Sequence, residues 1–97
     1  MPTYISLVKI TEQGIKDIKK TMKDQEVAIK MGEKIGVKFL DIYFVMGEYD
    51  LVVIFECPSD EAALTGLLAA SSDGNVRFTT LKAFTQEEFG EIVNKLP

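Results

Sequence analysis

The most constraining feature of the sequence is a pair of apolar runs on either side of a short polar turn. Residues 37 to 46 (VKFLDIYFVM) and residues 49 to 57 (YDLVVIFEC) are rich in the β-branched and aromatic residues that favour strands. Only Gly47 and Glu48 separate the two runs. The pattern therefore predicts a β-hairpin with a two-residue turn.

Segments of strand and helix periodicity flank this hairpin. Residues 3 to 10 alternate as a strand does, and residues 76 to 84 are predicted to form a fourth strand. In the segments after residue 10, after residue 58 and after residue 84, apolar residues recur at spacings of three and four, as in helices. A first helix is expected to start at Thr11, and a Thr85 to Glu88 capping box predicts the start of the last one. Ser59 and Asp60 are expected to open the third helix.

Three details of the helices can also be predicted. Thr21 and Asp24 resemble a second cap, so the first helical region is expected to break or kink near Thr21. Gly36 is a suitable stop, because glycine readily adopts the left-handed conformation after a helix. The buried side of the third helix is expected to contain four residues, Ala63, Leu64, Leu67 and Leu68.

The predicted order of elements is β-α-β-β-α-β followed by a C-terminal helix. Two β-α-β halves joined by a hairpin define an α+β, ferredoxin-like fold. Such a fold has a four-stranded antiparallel sheet with helices on one face. Residues 1 to 97 are expected to form one domain, and a chain this short buries only about 60 to 65% of its unfolded surface. Association with a second copy is therefore expected to add stability.

Composition excludes several classes of function. The net charge of −4 and the pI of about 4.8 argue against a nucleic-acid partner. No signal peptide and no apolar run near the ~20 residues of a membrane helix are present, so no membrane partner and a cytoplasmic location are expected. The single cysteine, Cys57, lies in an apolar strand and is predicted to be a buried structural thiol.

The chemistry available to the chain is limited. It contains no histidine, which excludes a Ser-His-Asp or Cys-His arrangement and histidine-ligated zinc or haem. With one cysteine, a cysteine-rich zinc site or an iron–sulfur cluster within a single chain is excluded. The predicted hairpin does not make neighbours of Asp41 and Asp50, so we expect no metal site, and no cofactor is indicated.

The hairpin register predicts that the second face of the sheet is only half polar. The face under the helices is expected to carry four pairs, Met46 with Tyr49, Phe44 with Leu51, Ile42 with Val53 and Leu40 with Phe55. The other face is expected to pair Val45 with Asp50, Tyr43 with Val52, Asp41 with Ile54 and Phe39 with Glu56. Together with Val37, this face would leave a large apolar area in water.

Such a surface needs a cover. A second copy of the sheet is the simplest one, giving a twofold dimer in which the two sheets face each other. The alternative is that the C-terminal helix of the same chain folds over this face.

Polar side chains on the second face are the candidate ligand-binding residues. The candidates are Tyr4, Ser6, Asp41, Tyr43, Asp50, Arg77 and Thr79. The inclusion of Arg77 and Thr79 depends on which way the fourth strand faces, which its mixed sequence leaves open. For Asp41 and Tyr43, a role in a ligand site and a structural role at a subunit interface are both open.

Three segments of the sequence resemble a known family. Residues 1 to 15, 46 to 63 and 74 to 92 are similar to the GYD domain family, and together they span nearly the whole chain. The family's named motif corresponds here to Gly47, Tyr49 and Asp50, with Glu48 inserted after the glycine. The resemblance implies a ferredoxin-like fold of the dimeric α/β barrel superfamily and a function that is not characterised.

Other members of the superfamily that the resemblance implies have several activities. They include cofactor-free monooxygenases, and haem enzymes that commonly use the histidine this chain lacks. A similar hairpin occurs in the effector domains of leucine-responsive regulators, where such loops line an amino-acid site between subunits. This chain shows no DNA-binding segment beside it.

The sequence leads to three hypotheses about function. The first is a homo-oligomeric module that binds a small organic molecule at the sheet face or the subunit interface. The second is a small cofactor-independent enzyme, monooxygenase- or isomerase-like, in which Tyr43 or Asp41 handles a proton in an apolar pocket. The third is a purely structural or interaction subunit. The turn residues of the hairpin, Gly47, Glu48, Tyr49 and Asp50, are expected to set which side chains of the two strands face the uncovered side of the sheet. Asp50 is expected to accept backbone N–H bonds that fix the turn.

Overall fold

The chain folds into one four-stranded antiparallel sheet with helices. The computed structural model describes all 97 residues. The strands are β1 (Thr3–Ile10), β2 (Lys38–Phe44), β3 (Leu51–Glu56) and β4 (Val76–Ala83), and the helices are α1 (Glu12–Lys16), α2 (Ile18–Lys34), α3 (Asp60–Ser71) and α4 (Gln86–Asn94). The strand order is β2-β3-β1-β4. This arrangement confirms the predicted α+β, ferredoxin-like fold class.

The helices begin mostly where the sequence predicts. The side chains of Thr11, Ser59 and Thr85 each accept a hydrogen bond from a backbone N–H in the first turn of the following helix. Thr85 and Glu88 form the predicted capping box. Gly36 follows α2 with a φ of 97°, a left-handed conformation that glycine adopts without a steric penalty.

The predicted helix break is displaced by four residues. The chain turns at Asp17, between α1 and α2, and not at Thr21. Thr21 lies inside α2, is buried, and its hydroxyl donates a hydrogen bond of 2.9 Å to the carbonyl oxygen of Gly14. The threonine therefore satisfies a carbonyl at the end of α1, which is a role that local sequence spacing could not reveal.

Two small apolar clusters form the core between the sheet and the helices. One cluster contains Tyr4, Phe55, Cys57 and Ala63, and the other contains Val8, Leu51 and Val76. Cys57 is fully buried, as expected for a structural thiol. The predicted buried side of α3 is wrong in part, because Ala63 is buried whereas Leu64 and Leu68 are more than half exposed.

The hairpin is less regular than predicted. β2 ends at Phe44 and β3 begins at Leu51, so six residues form the loop and the predicted pair of Met46 with Tyr49 is absent from the ladder. The side chain of Met46 is fully exposed.

A β-bulge changes the register at the other end of the hairpin. The register shifts between Phe39 and Asp41, so that Phe39 lies opposite Phe55 and Lys38 lies opposite Glu56. The predicted pairs of Leu40 with Phe55 and of Phe39 with Glu56 are therefore wrong. A bulge adds one residue to a strand, which exchanges the faces of the residues beyond it.

The bulge places the side chain of Phe39 on the helix side of the sheet. Phe39 moves to the helix side of the sheet, where its ring lies 6.1 Å from that of Phe55 and leaves no free space beside Gly32 of α2. Val37 also packs against the core on this side. Both residues were expected on the second face, but they are half-buried on the helix side and so do not belong to the surface that needs a cover.

Helix α4 stands apart from the rest of the molecule. It makes no extended packing contact with any strand or other helix. The alternative in which this helix covers the second sheet face is therefore wrong. Four apolar side chains of its stripe are all 43% exposed or more, Phe89, Ile92, Val93 and Leu96. None of the four helices is long and apolar enough to cross a membrane.

Candidate functional site

One face of the sheet carries no helix, and we call it the open face. Side chains alternate between the two faces of each strand, and the register of the ladders assigns them. The open face consists of Thr3, Ile5, Leu7 and Lys9 of β1, Lys38, Asp41 and Tyr43 of β2, Val52, Ile54 and Glu56 of β3, and Arg77, Thr79, Leu81 and Ala83 of β4.

The centre of the open face is apolar. Ile54 of β3 lies opposite Ile5 of β1, which lies opposite Leu81 of β4, and the next row contains Val52 and Leu7. Leu81 remains 50% exposed. A contiguous apolar patch on a sheet surface commonly marks a site of association.

Charged and polar side chains occupy the two edges of the open face. Asp41 and Tyr43 lie on the edge strand β2, and Arg77 and Thr79 lie on the opposite edge strand β4. The structure thereby places Arg77 and Thr79 on the same face as Asp41 and Tyr43. Three strand spacings separate the two edges, or about 14 Å, so the four side chains do not converge within one chain.

Two of the candidate ligand residues lie on the other face of the sheet. Tyr4 pairs with Phe55 and Ser6 pairs with Val53, which places both under the helices and not on the second face as expected. The ring of Tyr4 stacks on that of Phe55 at 5.3 Å. The Ser6 hydroxyl is 2.8 Å from the hydroxyl of Thr80, so a hydrogen bond satisfies it within the core.

Local alternation could not assign the faces of β1, because both of its faces are largely apolar. The tertiary structure decides the orientation by giving each buried polar atom a partner. Tyr4 donates a hydrogen bond from its hydroxyl to the carboxylate of Asp60, in the first turn of α3. Lys82 pairs with the same carboxylate at 3.2 Å. The cluster of Tyr4, Asp60 and Lys82 connects β1, β4 and α3.

The electrostatics of this cluster favour a structural role for Tyr4. The hydrogen bond to Asp60, followed by burial, raises the pKa of Tyr4 to about 12. The hydrogen bond from Tyr4, followed by that from Lys82, lowers the pKa of Asp60. A phenol with a raised pKa stays protonated at neutral pH and does not act as a general base.

The raised pKa of Tyr4 predicts that the free energy of unfolding falls as the pH rises in the alkaline range. Its pKa is higher in the folded chain than the ordinary 10.0, so its contribution to stability is complete below pH 10.0 and lost as the pH rises through about 12. Urea unfolding followed between pH 9 and 12 should show a smaller decline for Tyr4→Phe than for the natural chain. Equal declines for Tyr4→Phe and the natural chain would contradict this assignment.

The hairpin motif attaches its loop to β1. The carboxylate of Asp50 accepts a hydrogen bond of 2.8 Å from the backbone N–H of Ile10. The backbone N–H of Asp50 donates to the carbonyl of Val8 at 2.8 Å, and its carbonyl accepts from Val45 at 2.9 Å. The prediction that Asp50 accepts a backbone N–H bond is confirmed, although the donor belongs to the neighbouring strand and not to the turn.

The other motif residues complete the loop. Gly47 has a φ of 122°, which residues with a side chain rarely adopt. The carbonyl of Glu48 accepts a hydrogen bond of 3.3 Å from the Lys9 amine, and Tyr49 is half-buried. The motif therefore has a structural function in this chain, which is to hold the hairpin against the end of β1.

A groove on the helix side is a feature that the sequence did not indicate. It lies between α2 and α3 above the sheet and has a volume of about 410 Å³. Small residues on the two helices, among them Ala28, Gly32, Ala62 and Gly66, form its walls, and Ser6 lies at its floor. Only the distance between the two helices creates this space, so no local motif could have revealed it.

The structure shows no metal centre. No group of three or more Cys, Asp or Glu side chains lies close enough together to hold a metal ion. Asp41 and Tyr43 both lie exposed on β2 and are not enclosed in an apolar pocket within one chain.

The fold and the open face define a class of protein, namely small ferredoxin-like α+β domains with one sheet face uncovered. The chain belongs to the GYD domain family, whose model matches residues 4–93. This match confirms the resemblance seen in three separated segments of the sequence.

Proteins similar to this chain include one relative of known sequence and one solved structure. One is a Thermus thermophilus protein named glutamine synthetase and cystathionine beta-lyase binding protein, which is 31% identical over 84 residues that cover 86% of this chain and 88% of that protein. The other is a solved structure, a hypothetical protein from Pyrococcus horikoshii, with a TM-score of 0.50 and 21% identity over 89% of this chain and 93% of that one. The second similarity concerns the fold alone.

Proposed function

We propose that this protein is a homodimeric interaction subunit that binds other proteins. The observation that carries the proposal is the open face, which has an apolar centre, polar edges and no cover within the chain. A second copy laid face to face buries this centre and produces a closed, barrel-like dimer. The similarity to a protein named for binding two enzymes supports an interaction role.

The dimer predicts a specific effect of charge at the open face. Leu81→Glu places a carboxylate beside Ile5, in the apolar row that the second sheet would cover, where an unpaired charge is strongly unfavourable. We expect the natural chain to sediment as a dimer and this variant as a monomer, with a dissociation constant raised by about 100-fold or more.

The matched control is Leu68→Glu, a leucine of α3 on the other side of the sheet that is 61% exposed, against 50% for Leu81. It should leave the dimer intact. A natural chain that remains monomeric at the highest concentrations measured by sedimentation would contradict the proposed dimer.

Enzymes are the proposed partners of the dimer. The two enzymes in the relative's name, glutamine synthetase and cystathionine beta-lyase, are the first to test as immobilised partners by biolayer interferometry. We expect saturable binding of the natural dimer to at least one of them. Failure to bind either enzyme, under conditions where the dimer is intact, would contradict this part of the proposal.

A cytoplasmic location stays a prediction from the sequence.

A second candidate function is the binding of a small organic molecule. Two observations favour it, namely the groove of about 410 Å³ between α2 and α3 and the polar edges of the open face, which two chains could bring together. The volume lies within the range of about 300 to 1,000 Å³ that is usual for ligand pockets. Native mass spectrometry of the purified protein tests this function, since a retained ligand adds mass that denaturation removes.

A further inference from the structure

The apolar stripe of α4 has no partner within the chain. Phe89, Ile92, Val93 and Leu96 recur at spacings of three and four, and their side chains are between 43% and 68% exposed. No strand and no other helix packs extensively against α4. Helices that dock in the grooves of other proteins use apolar anchors at this spacing. The stripe is therefore available to a surface outside its own fold.

The groove between α2 and α3 is apolar and has no cover either. None of the 20 residues that line it is charged, and Met31 and Ile35 on its α2 side are more than 60% exposed. Its α3 side includes the small residues Ala62, Gly66 and Ala69. The distance between packed helices depends on the side chains at the contact, so a third helix can approach this side closely.

The charges beside the two surfaces are complementary. α4 contains three glutamates and no basic residue, whereas α2 contains five lysines against three acidic residues. Two of these lysines, Lys30 and Lys34, are exposed and directly precede Met31 and Ile35 in the sequence. Complementary charge steers an encounter and disfavours wrong partners. The chain itself therefore presents an apolar groove whose α2 side attracts α4.

α4 cannot reach the groove of its own chain. Only Phe84 and Thr85 join β4 to α4, so the chain from Ala83 to Gln86 spans at most about 10 Å. α3 packs against β4 and thus lies between this strand and the groove. A helix with its side chains is about 10 to 12 Å wide, which the two connecting residues cannot bypass. An α4 that occupies the groove must come from another molecule.

We propose that the apolar stripe of α4 docks in the groove between α2 and α3 of a second copy. This contact uses the helix side of the sheet, whereas the proposed dimer uses the open face, so one chain can make both contacts at once. A helix of nine residues gives a small interface, and interfaces below about 1,200 Å² are commonly transient. The dimer is therefore expected at low concentration, and larger assemblies of dimers are expected as the concentration is raised.

Sedimentation velocity over a wide range of protein concentration tests the stripe. Ile92→Glu places a carboxylate on the stripe, and we expect it to raise the dissociation constant of the larger assembly by about tenfold or more. The matched control is Asn94→Glu, which adds the same charge to α4 at an exposed position. Two residues apart in a helix lie on roughly opposite sides, so this control should assemble as the natural chain does.

Gly66→Leu tests the groove. Nothing lies within 4 Å of a Cβ placed on Gly66, so the leucine side chain has space and fills part of the groove. We expect the same loss of assembly, by about tenfold or more. A mixture of Ile92→Glu and Gly66→Leu should assemble again, because the intact α4 of the second variant fits the intact groove of the first.

Three results would overturn the docking of α4. One is a natural chain that forms nothing larger than a dimer at the highest concentration measured. Another is an Ile92→Glu variant that assembles as well as Asn94→Glu. The third is loss of assembly in both single variants without recovery in their mixture, because this would indicate an effect within each chain.

The results also separate this inference from the proposed function. A dimer that Leu81→Glu disrupts, with no larger assembly at any concentration, would retain the open face as the interface and reject only the docking of α4. Association that Ile92→Glu weakens but Leu81→Glu leaves unchanged would retain the docking and reject the proposed dimer.

The small-molecule alternative for the groove gives a different result. A ligand that native mass spectrometry finds in Ile92→Glu but not in Gly66→Leu would assign the groove to a small molecule. It would contradict the docking of α4.

Discussion

Gly14→Ala should reduce the stability of the fold by about 3 kcal/mol or more, because the added methyl group has no space. Gly14 is buried in α1 against the loop that precedes β4. A Cβ at this position would overlap the carbonyl oxygen of Asn75, which is backbone, and would lie 2.9 Å from the Cγ2 atom of Ile10. Backbone cannot move aside as the end of a flexible side chain can.

The overlap would also disturb the hydrogen bonds around Gly14. The carbonyl of Asn75 accepts from the N–H of Thr11 at 3.0 Å, and the carbonyl of Gly14 accepts from the hydroxyl of Thr21 at 2.9 Å. Displacing either carbonyl leaves a buried polar group without its partner, which adds its own cost of about 1 to 3 kcal/mol.

Urea unfolding measured by circular dichroism checks this prediction. Gly66→Ala is the matched control, because Gly66 lies in α3 with nothing within 4 Å of the added methyl group. Alanine is favoured over glycine inside a helix by about 0.5 to 1 kcal/mol, so the control should be neutral or stabilising. If Gly14→Ala unfolds at the same urea concentration as the natural chain, there is room for a methyl group between α1 and the Asn75 loop, and the prediction is wrong.

Asp50→Ala should lower the free energy of unfolding by about 1.5 to 3 kcal/mol, the range for a hydrogen bond to a charged group. The variant leaves the N–H of Ile10 without its acceptor and releases the hairpin loop from the end of β1. The backbone N–H of Asp50 also joins the loop to β1 by donating to the carbonyl of Val8, and the carbonyl of Asp50 accepts from Val45 across the loop; both bonds survive the substitution. We therefore expect a loosened loop and an intact sheet.

Hydrogen exchange of the Ile10 amide provides the direct measurement. Exchange should accelerate in Asp50→Ala and change much less in Asp50→Asn, since the amide oxygen of asparagine can still accept this bond. Equal exchange rates in the natural chain and Asp50→Ala would show that the carboxylate does not protect this amide. Loss of dimerisation in Asp50→Ala without loss of protection would instead assign the motif a role at the interface.

The hairpin was predictable from the sequence in its strands but not in its register. The paired apolar runs were sufficient to predict two adjacent strands, because β-branched and aromatic side chains favour a pleated, half-buried surface. The exact register was not predictable, since a single bulge near Leu40 exchanges the faces of the residues before it. For this reason Phe39 lies half-buried on the helix side of the sheet, where its ring packs between Phe55 and Gly32.

The candidate site was predictable only in part. Asp41 and Tyr43 were placed on the open face, because they lie on the regular side of the bulge. Tyr4 and Ser6 were placed there wrongly, because both faces of β1 are largely apolar and alternation alone cannot choose between them. The partners that decide the choice, Asp60 and Thr80, lie 56 and 74 residues further along the chain.

The sequence by itself determined the type and order of the elements, the caps at Thr11, Ser59 and Thr85, and the family. These features depend on local periodicity, on hydrogen bonds within a few residues, and on motifs that are contiguous in the chain. Only the tertiary structure decided the bulge, the orientation of β1, the break at Asp17, the groove between α2 and α3, and the isolation of α4. Each of these depends on contacts between residues far apart in the chain, whose energies decide between local alternatives that the sequence leaves nearly equal.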